Sequence, residues 1–255
     1  MKVERFNDGL AILADSTDQK TMSFVKAETG EIPLINCDPP YGNIVSELWD
    51  QINDDDASFA SWMTSWTKMW AQCLCAGGAF YVWGGVGKPG FRPFFKYITQ
   101  VEQTEKFELS NLITWKKKRG YGLSHNYLFV REELAFFING NAKKPRMFNI
   151  PLLEAKRGYA GYNAKYPAKS EHYRRTNVWD DITEIMQGKT HPTEKKQRVM
   201  EIPIEVHTNP GEWVLDPFAG AGTTAFAARK LGRRFVIIEQ NEEYFENCVR
   251  RLRET

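Results

Sequence analysis

A stiff acidic turn in the first fifth of the chain has the residue types needed to hold an amino group. It consists of Asn36-Cys37-Asp38-Pro39-Pro40-Tyr41, and its two prolines have fixed φ angles and no backbone N–H donors. Asp38 and the Pro39 carbonyl would form a rigid pair of acceptors for a group with two N–H donors, while Tyr41 offers a flat face on which a base can stack. The alternative is a plain connecting turn, since Pro-Pro is common in turns.

A glycine-rich segment late in the chain has the composition of a ligand-binding loop. Asp216–Thr224 (DPFAGAGTT) lies between a predicted strand and a predicted helix. Gly220 and Gly222 permit a tight turn and a close approach of the backbone to a ligand. The segment has neither the GxGxxG spacing of dinucleotide sites nor the Gly-Lys-Ser/Thr of phosphate loops, which argues against both ligands. A glycine-rich turn without a ligand is the alternative.

An acidic residue, Glu239, ends the next predicted strand, 17 residues after Gly222. Ligands of open α/β sheets bind at the carboxyl ends of the strands. A carboxylate in that place can accept hydrogen bonds from both hydroxyls of a ribose. A loop for an amino-acid group beside an acid for a ribose suits S-adenosylmethionine, whereas a surface glutamate is the simpler alternative.

The elements that would position these motifs alternate between strands and helices in two blocks, which predicts a mainly parallel sheet with helices on both faces. Short apolar runs indicate the strands, and longer amphipathic runs indicate the helices. The predicted strands are Ile32–Asn36, Ala79–Trp83, Leu109–Trp115, Leu134–Asn139, Trp213–Leu215 and Phe235–Ile238. The predicted helices are Ser58–Cys75, Phe91–Gln100, Glu194–His207, Thr223–Leu231 and Asn241–Leu252. Gly77-Gly78 is expected to end the first of them.

The stretch between the two blocks, residues 140–188, is basic and aromatic and has no regular periodicity. The net charge of the chain is only +2, yet residues 116–198 contain 18 Lys/Arg against 8 Asp/Glu. Such a concentration of one sign favours binding to a polyanion over a merely solvated surface. The residues predicted to contact the phosphates of such a partner are Lys143, Arg146, Lys156, Arg157, Arg174 and Arg175.

The composition argues against several other classes of protein. The four cysteines are too few and too scattered for a disulfide framework, and no CxxC pair indicates a metal site. No run of about 18 apolar residues predicts a membrane span, and the first residues lack a signal-peptide core. The sequence therefore predicts a metal-free protein that stays in the cytoplasm.

Together these motifs resemble the β class of DNA amino-methyltransferases, in which the DPPY motif precedes the glycine-rich motif. Three further segments are similar to that family: Glu4–Leu13, Leu112–Lys116 and His191–Lys195 (HPTEK). The resemblance implies a Rossmann-like S-adenosylmethionine-dependent methyltransferase fold. Its catalytic residues would be Asp38, Pro39, Pro40 and Tyr41. Its cofactor contacts would be Asp8, Asp38, Pro39, His191, Thr193, Lys195, Phe218, Gly220, Gly222, Thr223 and Glu239.

The resemblance also divides the chain by role. Residues 1–139 would form the catalytic half, residues 140–188 an inserted target-recognition region, and residues 189–255 the cofactor-binding half. Double-stranded DNA is the expected partner, and the resemblance leaves a cognate restriction endonuclease and a homodimer open.

Asp at the first position of the tetrapeptide favours adenine N6 as the methylated group, taken from a base flipped out of the helix. Cytosine N4 is the nearest alternative, because the same chemistry on an amino group serves both bases. RNA and protein glutamine are weaker alternatives. From a different class, a catalytically silent DNA-binding module would be expected to lose some of the motif residues that this sequence retains.

Overall fold

The computed structural model of the chain describes residues 1–41, 55–122, 124–140, 142, 144–156, 170–183 and 195–255. The strands are β1 (Lys2–Phe6), β2 (Gly9–Leu13), β3 (Ile32–Cys37), β4 (Leu74–Gly84), β5 (Phe107–Tyr121), β6 (Phe129–Asn139), β7 (Leu152–Lys156), β8 (His172–Arg174), β9 (Val178–Trp179), β10 (Trp213–Asp216) and β11 (Arg234–Glu239). The helices are α1 (Gln19–Thr29), α2 (Asp56–Trp70), α3 (Gly87–Glu102), α4 (Gln197–His207), α5 (Thr223–Lys230) and α6 (Glu242–Glu254).

Nine of these strands form one sheet in the order β1-β2-β11-β10-β3-β4-β6-β5-β9. Its five central strands, β2, β11, β10, β3 and β4, are mutually parallel. Strand β6 lies between β4 and β5 and runs antiparallel to both. The outermost strand, β1, runs antiparallel to β2. Helices α1, α2 and α3 cover one face, and α4, α5 and α6 cover the other. The predicted α/β fold, a mainly parallel sheet between two helical layers, is confirmed.

Strand β4 shows how the sequence fills both layers of the core. Side chains alternate across a strand, so successive residues of β4 point to opposite faces of the sheet. Tyr81 and Trp83 pack beneath α4, whereas Phe80 and Val82 pack beneath α2 and α3. A strand covered on both faces is apolar throughout, which is why its sequence has no polar alternation.

The parallel strands bring three acidic residues to one edge of the sheet. Asp38 directly follows β3, while Asp216 and Glu239 are the last residues of β10 and β11. We call this edge the carboxyl edge, and the edge where these strands begin the amino edge. The motifs found separately in the sequence therefore meet in space because of strand direction.

The start of β4 differs from the sequence-based prediction. The helix was expected to continue to Cys75, but α2 ends at Trp70, a 3₁₀ turn occupies Ala71–Cys73, and β4 begins at Leu74. The two glycines lie within this strand instead of ending the helix. They accompany a register shift between β3 and β4, and Gly77 has a φ of 69°. An irregularity of this kind inserts extra residues into one strand, and glycine tolerates the required backbone.

Part of the predicted recognition region belongs to the main sheet. Strands β7 and β8 form a separate antiparallel pair, but β9 extends the nine-stranded sheet by pairing with β5. Trp179 of β9 is buried in the core, and the Trp115 indole N–H donates to the Ile182 carbonyl at 2.8 Å. Residues 157–169 and 184–194 lie outside the described ranges. The predicted recognition region therefore contributes one strand, β9, to the main sheet.

No helix in the described part of the chain is both long and apolar enough to cross a membrane. The same residues contain no cluster of three His, Cys, Asp or Glu side chains arranged to hold a metal ion.

Candidate active site

The predicted catalytic tetrapeptide, residues 38–41, is a compact turn at the carboxyl edge. The Asp38 side chain is 16% exposed, and Pro39 and Tyr41 are buried. The Tyr41 hydroxyl donates to Asp38 Oδ1 at 2.5 Å. The carboxylate is thus held in one orientation while part of it stays accessible, which is what an acceptor for an incoming amino group requires.

Lys195 completes this turn from a distant part of the sequence. Its ammonium is 3% exposed and lies 2.8 and 2.7 Å from the two Asp38 oxygens and 2.6 Å from the Tyr41 hydroxyl. It also lies 3.1 Å from Glu132 Oε2, and Lys117 pairs with the other Glu132 oxygen. We call these five residues the Asp38 network. The resemblance assigned Lys195 to the cofactor, but in the structure its ammonium contacts the carboxylate of Asp38.

The electrostatics of the Asp38 network keep its buried members charged. Burial alone would lower the pKa of Lys195, but the Asp38 and Glu132 carboxylates hold that pKa above its ordinary value. Burial would likewise raise the pKa of Glu132, but Lys195 and Lys117 hold it below its ordinary value. Ammonium and carboxylate groups alternate in the Asp38 network, so each buried charge has a partner of opposite sign. A buried charge without such a partner would destabilise the fold.

Glu239 and the glycine-rich loop are joined by direct hydrogen bonds. The Gly220 N–H donates to Glu239 Oε2 at 2.8 Å, and the Asn241 N–H donates to Oε1 at 2.8 Å. Burial raises the pKa of Glu239, while these backbone donors oppose the rise. A carboxylate has about four acceptor positions, so both oxygens retain capacity for the two hydroxyls of a ribose. This arrangement fits the adenosine part of S-adenosylmethionine.

Asp216 supports the glycine-rich loop from inside the protein. Its carboxyl group is buried and accepts from the Phe218 N–H at 3.0 Å and the Thr224 hydroxyl at 2.6 Å. Burial raises its pKa from an ordinary 3.8 to about 7, against the effect of these two donors. Thr224 was not among the predicted residues, whereas the predicted Thr223 begins α5 with a half-buried side chain.

Two predicted cofactor residues of this loop have packing partners within the chain. Gly222 has a φ of 80°, and a Cβ there would lie 2.2 Å from the sulfur of Cys248 in α6. Its lack of a side chain is therefore needed for helix packing. The Phe218 ring packs edge-on against Trp66 of α2, with ring centroids 4.9 Å apart. Both residues fix the course of the loop.

Asp8 is not brought to this site. It lies before β2, where its carboxylate pairs with Arg229 at 2.7 and 3.0 Å. Glu239 aligns with Leu13 at the other end of β2, and the length of that strand separates the two acids by about 17 Å. Asp15 is the acid at the correct end, since the neighbouring Ala14 N–H bonds to the Glu239 carbonyl at 3.0 Å. An acid directly after an apolar strand was the signal for Asp15 in the sequence.

The predicted DNA contacts are dispersed. The Arg146 backbone bonds to Gly77 near the start of β4, and its guanidinium pairs with Glu212 at 2.7 Å, which places it at the amino edge. The Arg175 side chain is 5% exposed and doubly bonded to Asp181. Arg174 is exposed and lies over the Phe148 ring. Lys143, Arg157, His191 and Thr193 fall outside the described residues, and only the backbone of Lys156 is described.

The thiol nearest the catalytic turn has no chemical role there. Cys37 is fully buried on the opposite side of β3 from the site, and its sulfur donates to the Tyr81 carbonyl at 3.3 Å. Burial raises the pKa of this thiol well above its ordinary range. A protonated, enclosed thiol is a poor nucleophile, so transfer through a cysteine adduct is not supported.

Comparison with known proteins gives a consistent result. A family model described as DNA methylase, of the N6/N4 type, matches residues 32–250. The chain is 28% identical over 263 residues to the Type II methyltransferase M2.DpnII of Streptococcus pneumoniae, covering 97% of this chain and 91% of the relative. It is also 28% identical to the DNA adenine methyltransferase YhdJ of Escherichia coli, covering 89% and 78%.

Solved structures share the fold. The M1.HpyAVI–SAM complex superposes with a TM-score of 0.65 at 24% identity, covering 95% of this chain and 98% of that one. The PvuII DNA methyltransferase, described as cytosine-N4-specific, superposes with a TM-score of 0.71 at 17% identity, covering 95% and 86%.

Proposed function

This chain belongs to the N6/N4 family of DNA methylases, and from that premise we propose that it methylates the N6 amino group of adenine in double-stranded DNA. DNA amino-methylation with S-adenosylmethionine is the activity of its class. The observation that carries the proposal is the geometry of Asp38, which is held by Tyr41 and Lys195 at the same sheet edge as the Gly220–Glu239 pair.

Asp38 and Pro39 would prepare the target nitrogen for attack. The lone pair of an adenine amino group is delocalised into the ring, so the nitrogen is a poor nucleophile. Hydrogen bonds from its two N–H groups to the Asp38 carboxylate and the Pro39 carbonyl would draw the nitrogen towards tetrahedral geometry and localise that pair. Bound S-adenosylmethionine supplies an electrophilic methyl group. Asp38 would stabilise the positive charge that develops on the nitrogen as the N–CH3 bond forms and the S–CH3 bond breaks, until the nitrogen releases one of its protons.

Lys195 would act as a positioning residue for Asp38. Its ammonium contacts both carboxylate oxygens and is itself fixed by Glu132. This arrangement holds the carboxylate in one rotamer before the base arrives, so little reorganisation is needed during the reaction, and positioning contributes much of the acceleration. The target base must first leave the helix, at a cost of a few kcal/mol in stacking and pairing.

The choice of adenine is supported by Asp38 at the first position of the tetrapeptide and by similarity to a relative named as an adenine methyltransferase. Cytosine N4 is the second candidate, because a fold neighbour is described as cytosine-N4-specific. The Type II names of several relatives favour a cognate restriction endonuclease as a partner. The homodimer stays a prediction.

The test is incubation of the purified protein with unmethylated genomic DNA and S-adenosylmethionine, followed by mass spectrometry of the nucleosides. N6-methyladenine is the expected product. N4-methylcytosine alone would overturn the choice of base and leave the chemistry intact. The absence of methylated nucleosides, from protein that binds the cofactor, would favour the silent DNA-binding module.

The Asp38→Ala variant separates chemistry from cofactor binding. We expect it to lose about 10² to 10³ in rate, the usual effect of removing one preorganised charge-stabilising group, and to keep most of its affinity for the cofactor, because Asp38 mainly orients the target amino group. Asp56→Ala is a matched control, because Asp56 is an acid in α2 whose contacts are with Arg92 and Lys96 on the surface. An Asp38→Ala enzyme that turns over at the parental rate would falsify the mechanism.

A further inference from the structure

The hairpin formed by the end of β5 and the start of β6 extends beyond the carboxyl edge. Gly84, the last residue of β4, lies opposite Glu133 of β6, and Glu133 lies opposite Thr114 of β5. Strand β5 nevertheless continues to Tyr121, paired with β6. We call residues 116–131 the basic hairpin, of which Leu123 lies outside the described residues. The register shifts between Lys116 and Tyr121, so the six residues of β5 past Trp115 lie opposite only Phe129–Arg131 of β6, and the paired ladder extends by about 10 Å.

The basic hairpin is positively charged near its base, at residues 116–119 and at Arg131. Its sequence, KKKRGYGLSHNYLFVR, contains five Lys/Arg and no Asp or Glu. Lys117 turns inwards to Glu132. The other four cations have exposed side chains: Lys116, Lys118, Arg119 and Arg131. Arg131 also pairs with Glu133 at 3.0 Å, but the hairpin itself keeps an excess of cations, which is typical of a surface that binds a polyanion.

The tip of the basic hairpin adds exposed apolar side chains to the charge at its base. Tyr127 is 92% exposed and Leu128 is 61% exposed. An aromatic ring can stack on a base, with a contribution of about 1–3 kcal/mol. Apolar side chains can also enter between base steps of a duplex. A basic ribbon with an apolar tip therefore fits nucleic acid better than it fits a simple anion.

The base of the hairpin is bonded to the catalytic carboxylate through the Asp38 network. Lys117 of the hairpin pairs with Glu132, Glu132 with Lys195, and Lys195 with Asp38. The hairpin thus leaves the sheet beside the position that a target base must occupy. Phe129 also stacks on Phe91 of α3, with ring centroids 6.5 Å apart, which supports the hairpin where it emerges.

We propose that the basic hairpin grips duplex DNA beside the target base. Lys116, Lys118, Arg119 and Arg131 contact phosphates, and Tyr127 and Leu128 lie against the base pairs that the flipped base has left. The assignment of DNA as the occupant rests on the proposed function. The hairpin would supply phosphate contacts that Arg146 and Arg175 cannot make. Arg146 lies at the amino edge, and Arg175 is buried.

The first experiment measures how DNA affinity depends on salt. In the triple variant Lys116→Gln, Lys118→Gln, Arg119→Gln, the slope of log affinity against log salt is expected to fall by about 0.9 for each phosphate that the variant no longer neutralises. The matched control replaces the exposed Lys26, Lys68 and Lys106, which lie near the amino edge, and should keep the parental slope. The probe is a short duplex of random sequence. Equal slopes in the two triple variants would overturn the proposal.

The second experiment tests the tip. The parent's methylated DNA is sequenced to find the target, and a duplex is made with 2-aminopurine at the target position, whose fluorescence rises when the base leaves the stack. Tyr127→Ala with Leu128→Ala should lower both this signal and kcat/KM on duplex DNA by about tenfold. Phe95→Ala, which removes a ring that is 41% exposed on α3, should change neither. Unchanged flipping and turnover in the tip variant would refute the role of the tip.

The outcomes also separate this inference from the proposed function. If the parent binds DNA with a hairpin-dependent salt slope but forms no methylated base, the DNA surface stands and the activity fails. If the parent methylates DNA and both hairpin variants match it, the activity stands and the inference fails. A change in molecular mass of the hairpin variants without a change in DNA affinity would identify the surface as a protein interface and overturn the proposal.

Discussion

At the scale of single residues, the ammonium of Lys195 lies between two carboxylates, Asp38 and Glu132, inside the protein. An ammonium has three N–H donors, and here four oxygen atoms lie between 2.6 and 3.1 Å from the nitrogen. The carboxylate of Asp38 is therefore oriented by a fixed charge, which is less mobile than solvent.

We expect Lys195→Met to lower kcat by at least tenfold without weakening cofactor binding, because Asp38 loses the partner that fixes its rotamer. The unpaired carboxylates would also destabilise the fold by roughly 3–5 kcal/mol. The double variant Lys195→Met, Glu132→Gln should recover part of that stability. Added methylammonium should restore turnover in Lys195→Met. If methylammonium has no effect and kcat stays parental in a folded variant, Lys195 does not position Asp38.

Asp216 predicts a specific dependence of stability on pH. Its pKa in the folded protein, about 7, is above the ordinary 3.8, so the folded state binds the proton more tightly. Its contribution to stability is complete below about pH 4 and is lost as the pH rises to about 7. Across that window, Asp216→Asn should gain stability relative to the parent by up to about 4 kcal/mol. Urea unfolding of both proteins at pH 4.5 and pH 7.5 measures the difference, and a difference independent of pH would contradict the expectation.

At the scale of the elements, strand direction decides which acids can meet the cofactor. Asp8 and Glu239 belong to neighbouring parallel strands but lie at opposite ends. We expect Glu239→Gln to weaken S-adenosylmethionine binding at least tenfold in calorimetry, because a carboxamide accepts fewer hydrogen bonds. Asp8→Asn should bind as the parent does and lose only stability, since Asp8 pairs with Arg229. Weakened binding in Asp8→Asn alone would reverse this assignment.

The elements that the sequence could predict are those with long, uniform patterns. Apolar runs at β3 and β11 and the amphipathic α6 were placed within two residues, whereas β6 begins five residues before its predicted start at Leu134. The start of β4 was missed because a local rule, that paired glycines end a helix, was outweighed by pairing with β3. The two-residue strand β9 has too little pattern to detect, and only the burial of Trp179 reveals it.

The residues of the candidate site also fall into those that the sequence could predict and those that it could not. Asp38, Gly220 and Glu239 were predictable because each lies at or just after the end of a strand, and the strand itself has a signal. The contact between Lys195 and Asp38 spans 157 positions in the sequence, and no local pattern reports such a pair. Glu132 was missed for the same reason, since a glutamate on an antiparallel strand resembles a solvated residue until its two lysine partners are known.

At the scale of the whole molecule, charge is divided between the two edges of the sheet. The basic hairpin extends from the carboxyl edge, and Arg146 is neutralised by Glu212 at the amino edge. The sequence shows an excess of cations in the middle of the chain, but only the fold determines on which side of the sheet each cation lies. Composition could predict a polyanionic partner, but the surface that meets it depends on where β5 and β6 run past their neighbours.

The order β2-β11-β10-β3 places late strands between early ones. During synthesis, β2 and β3 leave the ribosome with no partner for the edges that β11 and β10 later occupy. A nascent chain that stops before residue 213 therefore has a gap in the middle of its sheet. Pairings so distant in sequence make folding slow, and neither residues 1–139 nor residues 189–255 contain all five parallel strands β2, β11, β10, β3 and β4. Methylation competence should appear all at once, when the last two parallel strands are inserted and the sheet closes.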